Sequence, residues 1–337
     1  MIDMKEVLEK IARGLALSVD EAYEVAKGML VSIDEALSAA VLMGLRVRGE
    51  ASSEIAGFTR ALRDFCIKIP IDDRGKYVDT AGTGGDGFGT LNVSTAAALI
   101  AAYLGARVIK HGNRSVSSTS GSADFLEALG FNINIPPNKA AEMAINYRFT
   151  FAFAPAYHPA MKNVMPVRKK LGIRTIFNLV GPLANPALLT RQLIGIADAS
   201  LMERMAEAAA LLGYEHAVLV HGEPGIDEVS VFGRTMIIEV RRGDVDKYSI
   251  EPRDLGLGTH RIDEVRVSSP LDSIEKVRRA VSGEDRAARD FIIANTAYTL
   301  YVAGVVKDPR DGVEYVESGL DEGFWSYVNE LARVSRS

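Results

Sequence analysis

Between Val78 and Thr95 the chain reads Val-Asp-Thr-Ala-Gly-Thr-Gly-Gly-Asp-Gly-Phe-Gly-Thr-Leu-Asn-Val-Ser-Thr, with Gly82, Gly84, Gly85, Gly87 and Gly89 filling five of eight positions. The apolar segment Lys76 to Val78 predicts a strand entering this stretch, and the run Ala96 to Leu104 predicts a helix leaving it. Glycine has no Cβ, so the backbone can take positive φ and press its N–H groups against a ligand. Ser94 and Thr95 stand where the helix begins, and unpaired amides at a helix start favour an anion. Strand, glycine loop, hydroxyl residues and helix start together describe a cradle for a phosphate or pyrophosphate. The pattern is not a P-loop, because no Gly-Lys-Ser/Thr follows. Nor is it a dinucleotide fingerprint, because Ser94 comes too late after Gly82-x-Gly84 to open the helix directly.

A chain of 337 residues can bury a large core and predicts two domains, or one with a sizeable appendage. Its formal charge of −5 argues against a nucleic-acid protein, which would normally carry a basic surplus. An acidic protein that holds a polyphosphate must gather local cations or a metal. Cys66 is the one cysteine, so no intrachain disulfide can form, and a reducing compartment fits. Its neighbours Phe65 and Ile67 predict a helix face and a buried, inert thiol. Met1 to Asp20 reads as a charged amphipathic helix rather than a signal peptide. The longest apolar stretch, Ala96 to Ile109, is broken by Gly105 and Arg107 and falls short of the ~20 residues that span a bilayer. A cytoplasmic location is expected.

Residues 3 to 68 read as four short helices. Ser18-Val19-Asp20-Glu21 and Ser32-Ile33-Asp34-Glu35 are capping-box patterns. Behind the second, Ala36, Ala39, Ala40, Leu42, Met43 and Leu45 make a broad apolar face that must pack against another domain or subunit. Pro70 and the polar run from Asp72 to Gly75 end the bundle. From Tyr77 onward short apolar strands alternate with helices. Strands are expected at Val108–Ile109, Asn132–Ile135, Thr150–Ala154, Leu193–Ile196 and Ala217–Val220. Helices are expected at Asp124–Leu129, Lys139–Tyr147, Ala160–Leu171, Leu201–Leu212, Ile274–Val281 and Asp285–Ala303. Thr235–Val240 and Asp246–Ile250 read as a β-hairpin around Arg242-Gly243. The irregular run Asn178 to Pro186 reads as a crossing back to the helical bundle. The expected fold class is therefore α/β, a mainly parallel sheet flanked by helices with a smaller all-helical domain. The domains would be 1–72, helical and joined by a crossing segment near 160–190, and an α/β domain of 73–159 and 191–337. Right-handed crossovers bring every strand's C-terminal end to one edge of the sheet.

A second loop of the same design follows Val108-Ile109. Lys110-His111-Gly112-Asn113-Arg114-Ser115-Val116-Ser117-Ser118 leads to a helix opened by Ser122. It carries Lys110 and Arg114, the local cations that the first loop lacks, and its serines can donate to phosphate oxygens. Asp227-Glu228 lies beyond another strand end, and adjacent carboxylates there suit Mg²⁺, with Ser94 as a further hydroxyl ligand. Read alone, an Asp-Glu pair is more often a solvated turn; beside a pyrophosphate site the metal reading takes precedence. His158, in Ala156-Tyr157-His158-Pro159, follows a strand and faces the same edge, as a structural or a catalytic residue. Arg168-Lys169-Lys170 and Arg174 lie on a helix and its end, where most such runs are wet surface.

With these residues assembled, the chain resembles the anthranilate phosphoribosyltransferases of the nucleoside phosphorylase/phosphoribosyltransferase family, over essentially its whole length. The resemblance is carried by Asp79 to Asp86, Asn92 to Thr95, Lys110 to Arg114, Gly121 to Asp124, His158 to Met161, Arg168, Gly172 to Asn178, Gly181 to Leu183 and Gly222 to Glu228. It implies phosphoribosyl pyrophosphate (PRPP) bound at the hinge of the two domains, Mg²⁺ (two ions with the donor pyrophosphate), and a homodimer formed through the helical domain. Donor-binding positions would be Gly82, Gly85, Asp86, Thr90, Asn92, Val93, Ser94, Thr95, Lys110, His111, Gly112, Asn113, Arg114, Ser115, Val116, Ser117, Ser118 and Ser122. Anthranilate would meet Gly82, His111, Asn113, Tyr157, His158, Arg168 and Pro182. The metal would meet Ser94, Asp227 and Glu228.

The inventory suits that chemistry. Losing pyrophosphate from the anomeric carbon leaves positive charge on the sugar and negative charge on the leaving group. Amides and a metal can stabilise the latter, and alignment does the rest. An aromatic amine is already neutral near pH 7, so no acid/base pair is expected. Arg168 can pair with a carboxylate at two points. Two alternatives stay open: a pyrimidine nucleoside phosphorylase, which is metal-free, and a non-catalytic relative that binds nucleic acid. Asn113, Arg168 and Asp227-Glu228 favour the transferase.

Overall fold

A computed structural model describes residues 3–32, 34–114 and 121–337. The expected donor contacts Ser115, Val116, Ser117 and Ser118 lie outside the described residues. The chain opens with four helices: α1 (Met4–Ala12), α2 (Val19–Val31), α3 (Glu35–Arg48) and α4 (Ser52–Asp64). The helix expected over Met1 to Asp20 stops at Ala12, because the chain turns at Gly14 with φ +74° and restarts on the Ser18/Glu21 capping box. α3 is capped by Asp34, whose carboxylate accepts from the Leu37 N–H, and not by Ser32, which ends α2. Cys66 falls just beyond α4 rather than on it; its Sγ lies 3.1 Å from the Arg63 carbonyl, and burial pushes the thiol up to about 11. α2 crosses α4 at Gly57, where a Cβ would lie 2.4 Å from the Val19 carbonyl oxygen, so only glycine permits this approach.

The second part alternates strands and helices: β1 (Asp79–Gly82), α5 (Val93–Tyr103), β2 (Val108–Gly112), α6 (Ser122–Ala128), α7 (Pro137–Tyr147) and β3 (Phe149–Phe153). After α8 (Ala154–Tyr157), α9 (Met165–Leu171) and α10 (Ile176–Val180) come β4 (Arg191–Gly195), α11 (Met202–Leu211) and β5 (His216–Gly222). The hairpin β6 (Thr235–Arg241) and β7 (Asp244–Ile250) turns on Arg242 and Gly243, both at positive φ as a tight hairpin requires. Four helices finish the chain: α12 (Pro270–Ser282), α13 (Arg286–Ala303), α14 (Pro309–Gly319) and α15 (Gly323–Arg336).

Three expectations need correction. Lys76 belongs to a 3-10 turn, Arg74–Lys76, and the strand starts at Asp79, with Val78 contributing a single bridge to Val108. Asn132–Ile135 is not a strand. The Asn132 N–H donates to Ser335 Oγ and the Asn134 N–H to Asn132 Oδ1, while Pro136 and Pro137 follow directly and cannot donate to a ladder. The helix expected over Ala160–Leu171 splits into a 3-10 turn, Pro159–Asn163, and α9, because Pro166 fits only the first turn of a helix.

β1, β4, β5, β6 and β7 form one ladder in that order, and β2 pairs with β3. The Val78 N–H donates to the Arg107 carbonyl and the Ile109 N–H to the Val78 carbonyl, so β2 lies beside β1 and the strands run β3-β2-β1-β4-β5-β6-β7. The first five are mutually parallel. The chain moves outward from β1 to β3, then returns to place β4 on the other flank of β1. Strand order thus reverses between β1 and β4, and ligands of open α/β sheets settle outside the strand ends at such a reversal. Alternate residues split the sheet between two cores. Leu193, Val218 and Val220 face α5 and α13, whereas Ile194, Ala217 and Leu219 face α11, α4 and the amino-terminal bundle. α9 and α10 pack with α3 and α4, so the crossing segment joins that bundle. No helix of the described residues is long and apolar enough to cross a membrane.

Candidate active site

The reversal point is where the glycine loop emerges. Gly82 ends β1 and pairs in register with Gly195 at the end of β4. Gly195 must be glycine, and at Gly82 any Cβ would displace the Asp227 carboxylate. A Cβ on Gly82 would lie 2.1 Å from Asp227 Oδ2, and one on Gly195 would lie 1.7 Å from the Asp227 carbonyl oxygen. The backbone of Asp227 is therefore pressed into the notch between the two strand ends. Gly84, Gly85, Gly87 and Gly89 all hold positive φ, the left-handed region that lets the loop fold its amides inward. The Gly84 N–H donates to Asp227 Oδ2 at 2.7 Å.

Carboxylate oxygens of Asp86, Asp227 and Glu228 lie within 4.8 Å of one another. Crowding them is costly for the ionised forms. Burial, then Asp86, holds the Asp227 carboxyl up at about 6. Burial, then Asp227 and Asp86, pushes Glu228 well above the carboxylate range, with Lys110 opposing. Asp86 is raised by burial as well. Glu228 Oε2 is buried without a hydrogen-bond partner. A cluster of this kind fits a hard divalent cation, which takes oxygen ligands and would return these carboxyls to their ionised state. The family resemblance counts Asp86 among the donor contacts; the fold adds it to the acidic pair.

Lys110 is the buried cation beside this cluster. It leaves β2 and donates to the Thr80 carbonyl at 2.5 Å, to Thr80 Oγ1 at 3.1 Å and to Ser94 Oγ at 3.4 Å. Burial pulls it down to about 8, with Asp79, Glu228 and Asp227 opposing. Asp79 is buried and accepts from the His111 N–H and Asn185 Nδ2, which locks β1 to β2. Val93, Ser94 and Thr95 form the first turn of α5, with Asn92 at its N-cap. A distant segment holds the outer half of the glycine loop. The Leu91 N–H donates to the Val265 carbonyl, the Val267 N–H to the Gly89 carbonyl and the Asn92 N–H to Ser273 Oγ, while Thr90 bridges Arg266. Residues 265–273 carry no sequence signal for this, because a backbone ladder leaves no motif.

In the second loop, the Asn113 carbonyl accepts from the Ala123 N–H and Ser122 Oγ, closing the loop onto α6. Gly112 gives Ser122 room, since a Cβ there would lie 2.2 Å from its Oγ. Arg114 does not stand as a free cation: it pairs with Asp124 and Glu127 on α6. His111 and His158 lie with ring centroids 5.1 Å apart and planes tilted by 58°, and both are buried. Burial drives His158 down to about 4 and His111 well below its ordinary value, so both rings are neutral at pH 7. Tyr157 is buried with its hydroxyl donating to the Ile135 carbonyl, away from the glycine loop's carboxylates. Pro182 offers its carbonyl to Gln192. Arg168, on α9, stands over the Phe177 ring at 5.6 Å and donates to Asn178 Oδ1 at 3.3 Å, leaving other guanidinium N–H groups for a ligand.

Arg174 is exposed, as the sequence suggests, and it also reaches the glycine loop. Its Nη2 lies 3.3 Å from the Thr83 carbonyl and 3.2 Å from the Gly84 carbonyl.

Comparison with known proteins identifies the family and the fold. Residues 5–66 match the model of the glycosyl transferase family's helical bundle domain, and residues 74–324 match that family's a/b domain. The anthranilate phosphoribosyltransferase of Caldivirga maquilingensis is 65% identical over 336 residues, covering 99% of each chain. That of Pyrobaculum arsenaticum is 51% identical over 338 residues, covering 100% of each. The crystal structure of the Thermus thermophilus anthranilate phosphoribosyltransferase superposes with a TM-score of 0.90 at 36% identity, covering 100% of both chains. The Saccharomyces cerevisiae enzyme, solved in complex with PRPP and Mg, shares the fold with a TM-score of 0.88 at 24% identity, over 99% of this chain and 98% of that one. On sequence, fold and the glycine-lined notch together, the chain belongs to the anthranilate phosphoribosyltransferases of the glycosyl transferase family.

Proposed function

We propose that the family's reaction takes place at the β1/β4 reversal: the phosphoribosyl group of PRPP passes to the amine of anthranilate, giving N-(5-phosphoribosyl)anthranilate and pyrophosphate in tryptophan biosynthesis. The observation that carries the assignment is the notch, where Gly82 and Gly195 seat Asp227 beside Asp86 and Glu228 at the mouth of an amide-lined loop. Gly82, Gly85, Asp86, Thr90 and Asn92 to Thr95 are assigned to the donor, with Lys110 to Arg114 and Ser122 closing over it. Mg²⁺ is assigned to Asp86, Asp227 and Glu228, with Ser94 nearby through Lys110. When bound, the cation neutralises negative charge developing on the pyrophosphate. The loop amides add fixed dipoles that need no reorganisation as the bond breaks.

The acceptor is assigned to the side lined by Asn113, His111, His158 and Arg168. Arg168 meets the anthranilate carboxylate with its fork of donors. The neutral histidine pair offers flat rings to the aromatic ring and takes no proton, because the amine is already neutral. Helices α1–α4 with the crossing segment near 160–190 act as one unit, and 73–159 with 191–337 as the other, the site lying at their junction. Leu15, Val31, Met43 and Val47 are exposed on the helical unit, which supports a homodimer through that surface, checked by sedimentation. The lone, partly buried Cys66 fits the reducing cytoplasm.

The test mixes the protein with PRPP, Mg²⁺ and anthranilate and follows the loss of anthranilate fluorescence. Turnover that stops on chelation supports the reading. Phosphorolysis of a pyrimidine nucleoside without metal, or salt-sensitive retention on DNA with no turnover, overturns it.

A further inference from the structure

Four loop glycines at positive φ have little conformational preference of their own, so an inward array of amides needs an external restraint. One side of the loop's entry has an evident one: the Thr83 N–H donates to the Gly195 carbonyl and Thr83 Oγ1 accepts from the Ala197 N–H, tying Thr83 to β4. On the other side stands Arg174, carried by the segment between α9 and α10. It donates to two successive carbonyls, those of Thr83 and Gly84. In a planar trans peptide the C=O and the following N–H point in opposite directions. Holding the Thr83 carbonyl outward therefore turns the Gly84 N–H inward, and that amide does meet Asp227 Oδ2 at 2.7 Å. Holding the Gly84 carbonyl turns the Gly85 N–H the same way. The guanidinium also lies against the bare Cα of Gly85, where a Cβ would come within 2.9 Å of its Nη1. Arg114, the arginine of the second loop, is spent on Asp124 and Glu127.

We propose that Arg174 is a positioning residue for the donor: by pinning the Thr83 and Gly84 carbonyls it holds the Gly84 amide on Asp227 and aims the Gly85 amide at the pyrophosphate, and so sets the affinity for PRPP but not for anthranilate. The inference rests on the donor seat assigned above. It makes the crossing segment a two-armed element, with Arg168 serving the acceptor and Arg174 the donor.

The experiment compares wild type with Arg174→Met and Arg174→Lys, measuring KM for each substrate, kcat and the melting midpoint, with Ser94→Ala as a second variant in the same seat. Arg174 is exposed, so neither replacement disturbs the core. Losing two solvent-accessible bonds from a charged donor predicts a rise in the PRPP KM of roughly five- to tenfold in Arg174→Met. The anthranilate KM should stay within about twofold, the midpoint should hold, and Arg174→Lys should recover part of the loss. An unmoved PRPP KM, or both KM values rising together with a lower midpoint, overturns the assignment. If Ser94→Ala also leaves the PRPP KM unmoved, the seat itself is misplaced; if only Arg174→Met is silent, the seat stands and Arg174 has no part in it.

Discussion

Replacing Gly82 by alanine isolates the contact on which the notch depends. Gly82 sits in extended backbone at the end of β1, so alanine suffers no conformational penalty there. The added methyl meets Asp227 alone, at 2.1 Å from Oδ2 and 2.9 Å from Cγ. Asp227 cannot retreat as a body, because its own carbonyl oxygen is packed against Gly195. Its side chain must rotate away, leaving the Gly84 amide and the other two carboxylates. Overpacking of this kind costs about 1–3 kcal/mol, and the lost charged hydrogen bond adds about 1 kcal/mol once its partial exposure is allowed for. A loss of about 2–4 kcal/mol lowers the melting midpoint by roughly 3–6 °C in a chain of this size. Metal-free differential scanning fluorimetry on Gly82→Ala, Asp227→Ala and the double variant separates clash from other causes. With Asp227 truncated, the new methyl is 3.6 Å from the remaining Cβ, an ordinary contact. On that background Gly82→Ala should cost under about 0.5 kcal/mol, leaving a coupling close to the whole effect. An equal drop on both backgrounds would refute the reasoning.

Arg168→Ala should raise the anthranilate KM by about tenfold or more, the worth of a two-point charged pair, with the PRPP KM little changed; an unchanged anthranilate KM removes the assignment. The double variant Asp227→Asn with Glu228→Gln should abolish Mg²⁺-dependent turnover, and full activity would reduce the pair to a turn. pH dependence gives a third check. The folded chain holds the Asp227 proton to about 6, against an ordinary value of 3.8, so the stability tied to that proton is complete below pH ~4 and lost as pH rises through about 6. Without metal, Asp227→Asn should therefore melt above wild type at pH 7.5 and level with it near pH 4. Mg²⁺ should raise the wild-type midpoint at pH 7.5 and leave the variant's in place; a gap between the two proteins that ignores pH would count against a strained acidic cluster.

What the chain's letters disclose is chemistry that clusters locally. The glycine run, the Lys110 loop and the Asp227-Glu228 pair each announce themselves within a dozen residues, and alternating apolar segments place them at strand ends. Asp86 reads as a donor contact because its neighbourhood with Asp227 exists only once β1 and β4 lie side by side. Arg174 reads as surface because its two acceptors are backbone carbonyls about ninety residues away. Arg114 is the converse case: a basic residue in a phosphate-like loop suggests a ligand contact, and only the fold shows it paired with two carboxylates of α6. Asn132–Ile135 has the alternation of a strand, yet its amides find side-chain acceptors and its continuation is two prolines.

Because β1 starts after α4, α8 leads away from β3 into α9, and β4 follows α10, the polypeptide passes between the helical bundle and the sheet three times. Three covalent tethers constrain rigid bodies as a door's hinges do: separation is forbidden, and only swinging about the line of the tethers stays cheap. The segment between the second and third passages carries both arginines assigned to the substrates, on one short lever. Any swing of that segment would therefore carry the Arg168 head and the tip of Arg174 together, although each serves its own substrate.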